Sequence, residues 1–417
     1  MHPERFMIDV DEAKRIVLSE VTLIGAERVS LRETLDRVLA EDIVSKREHP
    51  PWDNSSMDGY AVQWEDVRGA APESPVSLRV VGEVRAGELP RCGVGKGEAV
   101  QIMTGAPIPP GSDSVIRIED TERSGDRAGI LKPCGKGDNI RCQGEDIRLG
   151  DPVISKGAWV RPAEVGMLAT AGYVSALVFR RPWVSVLATG DEVVEPGEPL
   201  GPEKIINSNG YSIAALVQET GAIPVVLDTA RDNRRDLDEK VKRALSADIA
   251  VVVGGVSKGK YDYVKEVIRD LGCQMKFWQV AMRPGHPLAF GTFDSGLGEW
   301  AQKKPFFGLP GNPVSCMVTF YQFVRPAIRK MMGMNDLFLP QVEAVLEEEV
   351  RGGMGRRQFV RAVTVFREGG YTVRLTGDQG SGILRSMVQS NSLMVLPEDR
   401  EVFKAGERVQ VQLLPLR

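Results

Sequence analysis

The feature that most constrains the fold of this chain is an unbroken apolar run, Ile249–Val253, followed at once by a glycine-rich segment. A continuous run rich in β-branched residues is typical of a strand buried on both faces of a parallel sheet. Open sheets of this kind bind their ligands beyond the carboxyl ends of the strands. The chain at 254–262 reads GGVSKGKYD, which places close backbone amides, a hydroxyl, two lysines and a carboxylate at that end. The segment predicts a site for a phosphate-bearing ligand with a divalent cation, and a bare turn between strand and helix stays open as the alternative.

Charge and composition exclude several classes of partner. The 417 residues carry a formal net charge of −4, and lysine and arginine are spread along the chain, so we expect no nucleic acid and no membrane as partner. The five cysteines are an odd number without a C-x-x-C pair, which disfavours a zinc ribbon and a disulfide framework. With only three histidines, any metal is expected to be a hard cation on carboxylates. The first ten residues lack the regions of a signal peptide, so we expect a cytoplasmic protein.

The order of patterns along the chain predicts several domains, because 417 residues exceed what one core usually supports. Residues 11–41 are predicted as two helices, the second opening at the capping box Ser30-Leu31-Arg32-Glu33, and Arg161-Pro162 opens a third. Short β-type runs between these helices indicate an inserted β unit. Strands and helices alternate from about residue 180, as in a doubly wound parallel α/β sheet, and period-two runs dominate the end of the chain. The expected units are a helical N-terminal domain at 1–46 and 148–178, an inserted β domain at 47–147, a central α/β domain at 179–334 and an all-β domain at 335–417.

Acidic side chains follow three predicted strands of the α/β domain. Glu192 comes after the strand that ends near Ala188, Asp232 after the strand from Ile223, and Asp262 after Ile249–Val253. Strand ends on one edge of a parallel sheet converge, so these carboxylates are expected to share one Mg²⁺ site. For each residue taken alone, a helix cap is an equally simple explanation.

Other loops have the composition of anion sites or polar turns. Arg283-Pro284-Gly285-His286-Pro287 holds two potential cations in a proline-stiffened loop, and a plain turn is its alternative. The segment GLPGNPVS at 308–315 opens a helix whose first amides are available to a negative group, with Asn312 as a possible cap. Polar turns also surround Asp58, Thr104 and Asp146 in the inserted β unit.

Together these motifs resemble the MoeA family of molybdopterin molybdenumtransferases, which is related to the E domain of gephyrin. The resemblance spans nearly the whole chain. Its motifs are DNSSMDGYAV from Asp53, IMTGAPIPPGSD from Ile102, DNIRCQGED from Asp138, ATGDEVV from Ala188, GGVSKGKYDYVK from Gly254, RPGHPLAFG from Arg283, GLPGNPVS from Gly308 and QGSGILRSMVQSNSLMVLPE from Gln379. Eight motifs in order, at comparable spacings, are highly specific.

The resemblance implies a protein of four units, the last a β-barrel, that is usually a homodimer. It implies an enzyme of molybdenum cofactor biosynthesis that inserts molybdate into adenylylated molybdopterin and releases AMP, with Mg²⁺ assisting. The protein partners it implies are the molybdopterin adenylyltransferase and cofactor-accepting enzymes. Two competing hypotheses are a scaffold protein that keeps the fold without the chemistry, and the adenylyltransferase itself, which resembles only the α/β unit.

The resemblance also implies roles for particular residues. Catalysis is expected to need the Mg²⁺-holding carboxylates Glu192, Asp232 and Asp262, completed across a dimer interface by Asp58, Thr104 and Asp146. The pterin phosphate or nucleotide is expected on the loops at the strand ends, at Thr189, Gly190, Gly254, Gly255, Ser257, Gly259, Pro310, Gly311, Asn312 and Ser315. Molybdate is expected at Arg283, His286, Pro287, Arg361 and Ser386.

The loop at Arg283 departs from the family pattern. The common form is KPGKP, so Arg283 and His286 replace both lysines. Arginine keeps a fixed positive charge and a fork suited to oxyanions, whereas a histidine is charged only when protonated. We therefore expect oxyanion binding to weaken as His286 loses its proton, with consequences for the choice between molybdate and tungstate.

Overall fold

The computed structural model describes residues 7–255, 263–295 and 302–415. The described chain divides into two compact units. The larger unit contains the described residues of 1–27, 36–40 and 178–417, and the smaller unit contains 28–35 and 41–177.

The helices are short, of 4 to 12 residues. They are α1 (Val10–Glu20), α2 (Trp64–Val67), α3 (Pro162–Thr170), α4 (Ser208–Glu219), α5 (Arg234–Ala244), α6 (Tyr263–Asp270), α7 (Pro313–Thr319), α8 (Arg325–Met331) and α9 (Leu384–Gln389). A π-helical segment, Phe320–Val324, joins α7 to α8, so the helix that GLPGNPVS opens continues to Met331 with one wider turn inside it. Within the described ranges, no helix has the length and apolar character needed to cross a membrane.

Strands make up most of the remaining structure. In chain order they are β1 (Ala26–Ser30), β2 (Ile43–Val44), β3 (Asn54–Ser55), β4 (Gly59–Val62), β5 (Val76–Val84), β6 (Glu98–Ile102), β7 (Ser114–Arg117), β8 (Thr121–Ser124), β9 (Arg127–Ile130), β10 (Ile140–Arg141), β11 (Pro152–Ile154), β12 (Ser175–Phe179), β13 (Trp183–Thr189), β14 (Val193–Val194), β15 (Ile205–Ile206), β16 (Ile223–Ala230), β17 (Ile249–Val253), β18 (Gln274–Gln279), β19 (Met282–Arg283), β20 (Pro287–Ser295), β21 (Gln302–Leu309), β22 (Gln341–Leu346), β23 (Val350–Arg351), β24 (Arg357–Arg367), β25 (Gly370–Leu375), β26 (Ser392–Leu396), β27 (Val402–Phe403) and β28 (Arg408–Leu413).

A six-stranded sheet forms the centre of the larger unit, in the order β16-β13-β17-β21-β20-β18. The first four strands are parallel, and β20 and β18 add an antiparallel edge. Alternate residues of β17 enter two different cores: Ile249, Val251 and Val253 pack with α4, whereas Ala250 and Val252 pack with α5 and α6. The apolar run is therefore a strand buried on both faces, as its sequence predicts.

The end of the chain closes into a barrel. Strands β24, β25, β22, β28 and β26 follow one another, and β26 pairs back to β24. The short strand β19 adds to the same sheet, because Met282 and Arg283 pair in parallel with Arg357 and Gln358. This pairing fixes the loop that starts at Arg283 against the barrel. The all-β expectation for this part of the chain missed one element, the helix α9.

The smaller unit is built on a sheet in the order β7-β4-β6-β5-β9-β8, whose strands all lie within 47–147. The helical N-terminal domain is only partly present: α1 and α3 form, but the rest of the N-terminal region is mostly strands. The predicted second helix is a single 3-10 turn, Leu31–Glu33. Its capping box does form, since Ser30 N donates to the Glu33 carboxylate at 3.2 Å. The prediction of a full helix is wrong because Asp36, at φ 59°, breaks the helical path one turn later.

Candidate functional site

A cleft of about 520 Å³ opens at the carboxyl ends of the parallel strands in the larger unit. We call it the strand-end cleft. Its lining comes from loops that are distant in sequence, and it includes the predicted site residues Thr189, Gly190, Glu192, Asp232, Gly254, Gly255, Pro287, Pro310, Gly311 and Asn312. The parallel topology brings these loops together, as expected from the strand-end position of each motif.

Two glycines form the floor of the cleft just after β17. Gly254 has φ 94° and Gly255 has φ 66°, in the region that side chains rarely adopt. A Cβ on Gly254 would lie 2.9 Å from the carbonyl oxygen of Thr189, and one on Gly255 would lie 2.7 Å from Val264. Both positions require glycine because the backbone turns tightly against the end of β13.

Two polar side-chain atoms at the cleft are buried without a hydrogen-bond partner in the described structure, Thr189 Oγ1 and Asn209 Oδ1. Thr189 ends β13 and is 6% exposed. Asn209 is the second residue of α4, and its Nδ2 donates to the carbonyl of Gly311 at 2.6 Å. A buried polar atom without a partner costs about 1–3 kcal/mol, so the cleft has two groups that a bound ligand would satisfy.

Carboxylates line one side of the cleft. Asp232 and Glu192 both face it, and the backbone N–H of Asp232 donates to Asp191 Oδ1 at 3.1 Å. Partial burial raises the pKa of Asp232, and the negative charges of Asp191 and Glu192 raise it further. A cation bound between these carboxylates would offset their mutual repulsion, and oxygen ligands of this kind suit Mg²⁺. Among the described residues, however, no group of three or more His, Cys, Asp or Glu side chains is placed to hold a metal.

Not every predicted residue reaches the cleft. Ser257, Gly259 and Asp262 lie outside the described residues. Ser315 is buried inside α7 at 4% exposure and is not part of the lining, because the first turn of that helix points it into the core. Asn312 lines the cleft, but its side chain does not cap α7; its Nδ2 donates to Ser381 Oγ at 3.1 Å.

A second cavity, of about 270 Å³, contains three arginines: Arg283, Arg351 and Arg361. We call it the arginine chamber. Arg361 is 1% exposed on β24, where its Nε donates to Ser386 Oγ and its NH2 group to the carbonyl of Gly380, each at 3.0 Å. In the described part of the chain, no carboxylate makes a salt bridge with Arg361. Burial lowers the pKa of Arg361 to about 10. A buried, unpaired guanidinium in a chamber with two further arginines is suited to an oxyanion.

The loop from Arg283 to Pro287 reaches both cavities. Arg283 and Pro284 line the arginine chamber, whereas Pro287 lines the strand-end cleft. His286 lies in neither lining; its Nδ1 is 2.8 Å from the carbonyl oxygen of Val280. That contact requires the proton on Nδ1, which leaves Nε2 as the ring nitrogen available for other partners. The five residues predicted to bind molybdate therefore do not lie in one cavity.

The predicted residues of the smaller unit form a surface pair and a separate turn. Asp58 Oδ1 accepts hydrogen bonds from Thr104 N at 2.7 Å and from Thr104 Oγ1 at 2.8 Å. These bonds hold the pKa of Asp58 below its usual range, so this exposed carboxyl stays ionised. Asp146 is exposed in a turn in which its N–H donates to the carbonyl of His49 at 3.1 Å.

Several residues of the two cavities were not predicted from the sequence. Asn207, Ser208 and Asn209 line the strand-end cleft, and Gln379 lines the arginine chamber. The dense polar run INSNG just before α4 is a signal that could have identified the first group. Asn207 is the N-cap of α4, with Oδ1 accepting from Gly210 N at 2.9 Å. Gln379 opens the motif QGSGILRSMVQSNSLMVLPE, and its place in that motif is the signal that could have identified it.

Family models and known relatives together match nearly the whole chain. Three family models align in order: the MoeA N-terminal region (domain I and II) at 8–172, the probable molybdopterin binding domain at 185–330, and the MoeA C-terminal region (domain IV) at 343–414. The chain is 35% identical to a molybdopterin molybdenumtransferase of a Nostoc species over 100% of this chain and 96% of that one. It is also 35% identical to the enzyme of that name from Staphylococcus aureus, over 98% and 96% of the two chains.

Solved structures show the same likeness. One crystal structure of the molybdopterin biosynthesis MoeA protein from Pyrococcus horikoshii shares 34% identity with a TM-score of 0.80, over 98% of this chain and 99% of that one. Another from the same organism shares 32% identity with a TM-score of 0.83, over 98% and 100% of the two chains. The strand-end cleft lies within the segment that matches the probable molybdopterin binding domain.

Proposed function

The chain belongs to the MoeA family, and from that premise we propose that it inserts molybdate into adenylylated molybdopterin, with Mg²⁺-dependent release of AMP, to give the molybdenum cofactor. The observation that carries this proposal is the strand-end cleft. Two buried polar atoms without partners in the described structure, Thr189 Oγ1 and Asn209 Oδ1, belong to residues that line a cleft bordered by glycine turns and carboxylates. Such a cleft suits a ligand with both polar ring groups and phosphates.

Glu192 and Asp232 are the described residues that would hold Mg²⁺, together with Asp262 beyond the described residues. When bound, the ion would neutralise charge on the pyrophosphate link whose cleavage frees AMP. The raised pKa of Asp232 supports this assignment, because burial and the charges of Asp191 and Glu192 disfavour its carboxylate form, and a bound cation would favour that form.

Molybdate would bind in the arginine chamber as the second substrate. Arg361 supplies a fixed charge with two of its donors already oriented by Ser386 and Gly380, and Arg283 adds a second guanidinium. Pre-oriented donors lower the entropic cost of holding a small oxyanion. His286 and Pro287 would act at the junction between the chamber and the cleft, since the loop that carries them reaches both cavities.

We further propose a cytoplasmic homodimer in which Asp58, Thr104 and Asp146 of one protomer complete the site of its partner. The Asp58–Thr104 pair is fully exposed and keeps an ionised carboxylate on the surface. A side chain must be exposed in this way if it is to reach the site of a partner protomer. Molybdopterin adenylyltransferase would deliver the substrate, and cofactor-accepting enzymes would receive the product.

A direct test follows AMP release after mixing the full chain with adenylylated molybdopterin, Mg²⁺ and molybdate. The wild type is expected to release AMP, and Asp232→Asn is expected to lose this activity. Asp228→Asn is the matched control, since Asp228 lies on β16 just before the cleft but not in its lining. Tight binding of substrate without AMP release would instead favour a scaffold protein. Equal activity of Asp232→Asn and wild type would refute the role of the carboxylate.

A further inference from the structure

The amide of Asn209 has a fixed orientation at the strand-end cleft. Its Nδ2 lies 2.6 Å from the carbonyl oxygen of Gly311. The opposite orientation would bring two acceptor oxygens into contact, so the NH2 group must face Gly311. The other end of the amide, Oδ1, is then held as a hydrogen-bond acceptor.

That acceptor has no partner in the described structure, and it is not used for helix capping. The neighbouring Asn207 already caps α4 through its own Oδ1, which accepts from Gly210 N. Asn209 is therefore not needed to start the helix, and leaving its oxygen unpaired costs free energy in the unliganded protein. A ligand that donates a hydrogen bond at this point would recover that cost.

The chemistry of Oδ1 determines which part of a ligand can lie there. Phosphate oxygens at neutral pH are acceptors and would be repelled by another acceptor, whereas a ring amino group donates. We propose that Asn209 is a specificity-determining residue that accepts a hydrogen bond from a ring amino group of the ligand, and so places the ring at the start of α4 and the phosphates elsewhere in the cleft. This inference rests on the proposed function, in which that amino group belongs either to the pterin or to adenine.

The two possible sources of the amino group, pterin and adenine, can be distinguished by titrating the full-length protein with two pairs of probes and measuring their affinities by calorimetry. One pair is AMP and purine riboside 5′-monophosphate, which lacks the 6-amino group. The other is pterin-6-carboxylate and the same ring system without the 2-amino group. Wild type is expected to prefer the amino-bearing member of one pair by about tenfold to a hundredfold, because the other member leaves the buried oxygen unpaired.

Variants separate recognition from structural support. Asn209→Ala is expected to bind both members of the discriminated pair equally, and Asn209→Asp, which retains an acceptor, is expected to keep part of the preference. Loss of the Gly311 contact alone would weaken both members alike and leave their ratio unchanged. Thr189→Val is the control at the second unpaired atom, and it is expected to weaken both members without changing the ratio.

The outcomes are distinguishable from failure of the proposed function. Binding without preference in either pair would overturn the inference and leave the proposed function standing. A change in Mg²⁺ affinity in Asn209→Ala, with the ligand ratio unchanged, would also overturn it, because the oxygen would then serve the cation. Failure of all four probes to bind would contradict ligand binding in the strand-end cleft and hence the proposed function.

Discussion

Replacing Arg361 by methionine is expected to weaken molybdate binding by roughly 10- to 100-fold at a modest cost in stability. The side chain is 1% exposed, and its charge is not balanced by a salt bridge within the described residues. Burial lowers the pKa of Arg361 to about 10, which corresponds to a cost of about 3 kcal/mol for keeping the charge in the folded protein. Methionine has a similar length and no charge to desolvate.

The opposing term is the loss of two hydrogen bonds. The guanidinium donates to Ser386 Oγ and to the carbonyl of Gly380, and bonds from charged groups contribute about 1.5–3 kcal/mol each. Ser386 keeps a partner in the variant, because its hydroxyl donates to the carbonyl of Ile383 at 2.7 Å. Two such bonds contribute about 3–6 kcal/mol against a charge cost of about 3 kcal/mol, so we expect the free energy of unfolding of Arg361→Met to lie at most about 3 kcal/mol below wild type.

Molybdate binding should respond far more strongly. Losing a charge-assisted bond of about 1.5–3 kcal/mol raises the Kd for molybdate by roughly 10- to 100-fold. Calorimetric titration with molybdate, alongside denaturant unfolding of the unliganded protein, measures both quantities. Arg367→Met is the matched control: it removes an exposed arginine of the same strand that lies outside the arginine chamber.

Two results would contradict this role of Arg361. If Arg361→Met loses more than about 4 kcal/mol of stability and still binds molybdate with wild-type affinity, the guanidinium is a structural residue of the barrel. If Arg367→Met weakens molybdate binding as much as Arg361→Met does, the effect is one of general charge and not of the chamber.

Three further predictions concern other parts of the molecule. Gly254→Ala should lower the free energy of unfolding by about 1–3 kcal/mol more than Gly197→Ala, because both have positive φ but only the first Cβ meets backbone atoms; equal losses would contradict the tight turn. Burial lowers the pKa of Lys14 to about 8, whereas the unfolded state keeps this proton up to about pH 10.4. The free energy of unfolding therefore rises with pH between these two values, because the folded state has released a proton that the unfolded state still holds. Lys14→Met should therefore be more stable than wild type at pH 7 by about 1–3 kcal/mol, with the difference in denaturant unfolding shrinking above pH 8; a difference that does not change with pH would refute this. Mixing inactive Asp58→Ala with inactive Asp232→Asn protomers should restore about a quarter of wild-type activity if sites form across a homodimer, whereas no recovery after verified subunit exchange would exclude shared sites.

The sequence was most informative where a pattern is enforced by burial or by backbone geometry. The run Ile249–Val253 predicted a strand with two buried faces, and the glycines after it predicted the tight turn that the positive φ angles show. Asn233 shows the same kind of local signal, since it precedes α5 and its side chain caps that helix by accepting from Asp236 N at 3.0 Å. Local chemistry of this kind needs no knowledge of distant residues.

The prediction of a second N-terminal helix was wrong because a local signal specified only its first turn. The capping box at Ser30 is real, but it stabilises a first turn and says nothing about the second. Leu35, Val38 and Leu39 have helical spacing, yet Leu39 forms a β-bridge with Val178, and that pairing replaces further helix. Tertiary pairing overrode a short-range pattern.

The two site features that mattered most depend on contacts between distant segments. The orientation of Asn209 is set by the carbonyl of Gly311, 102 residues away, so no reading of the run INSNG alone could identify its free acceptor. Arg361 was predicted from the family resemblance, but its burial, and the lack of an ionic partner among the described residues, depend on closure of the barrel around β24. The separation of Pro287 from the arginine chamber likewise follows from the pairing of β19 with β24.

We propose that molybdate insertion and AMP release are one coupled reaction of this chain. The most direct measurement incubates the full-length protein with adenylylated molybdopterin and Mg²⁺, adds molybdate, and determines released AMP and cofactor-bound molybdenum in the same sample. We predict about one AMP for each molybdenum bound, with little release of AMP before molybdate is added. Release of AMP that is independent of molybdate, or molybdenum bound without loss of AMP, would contradict the account.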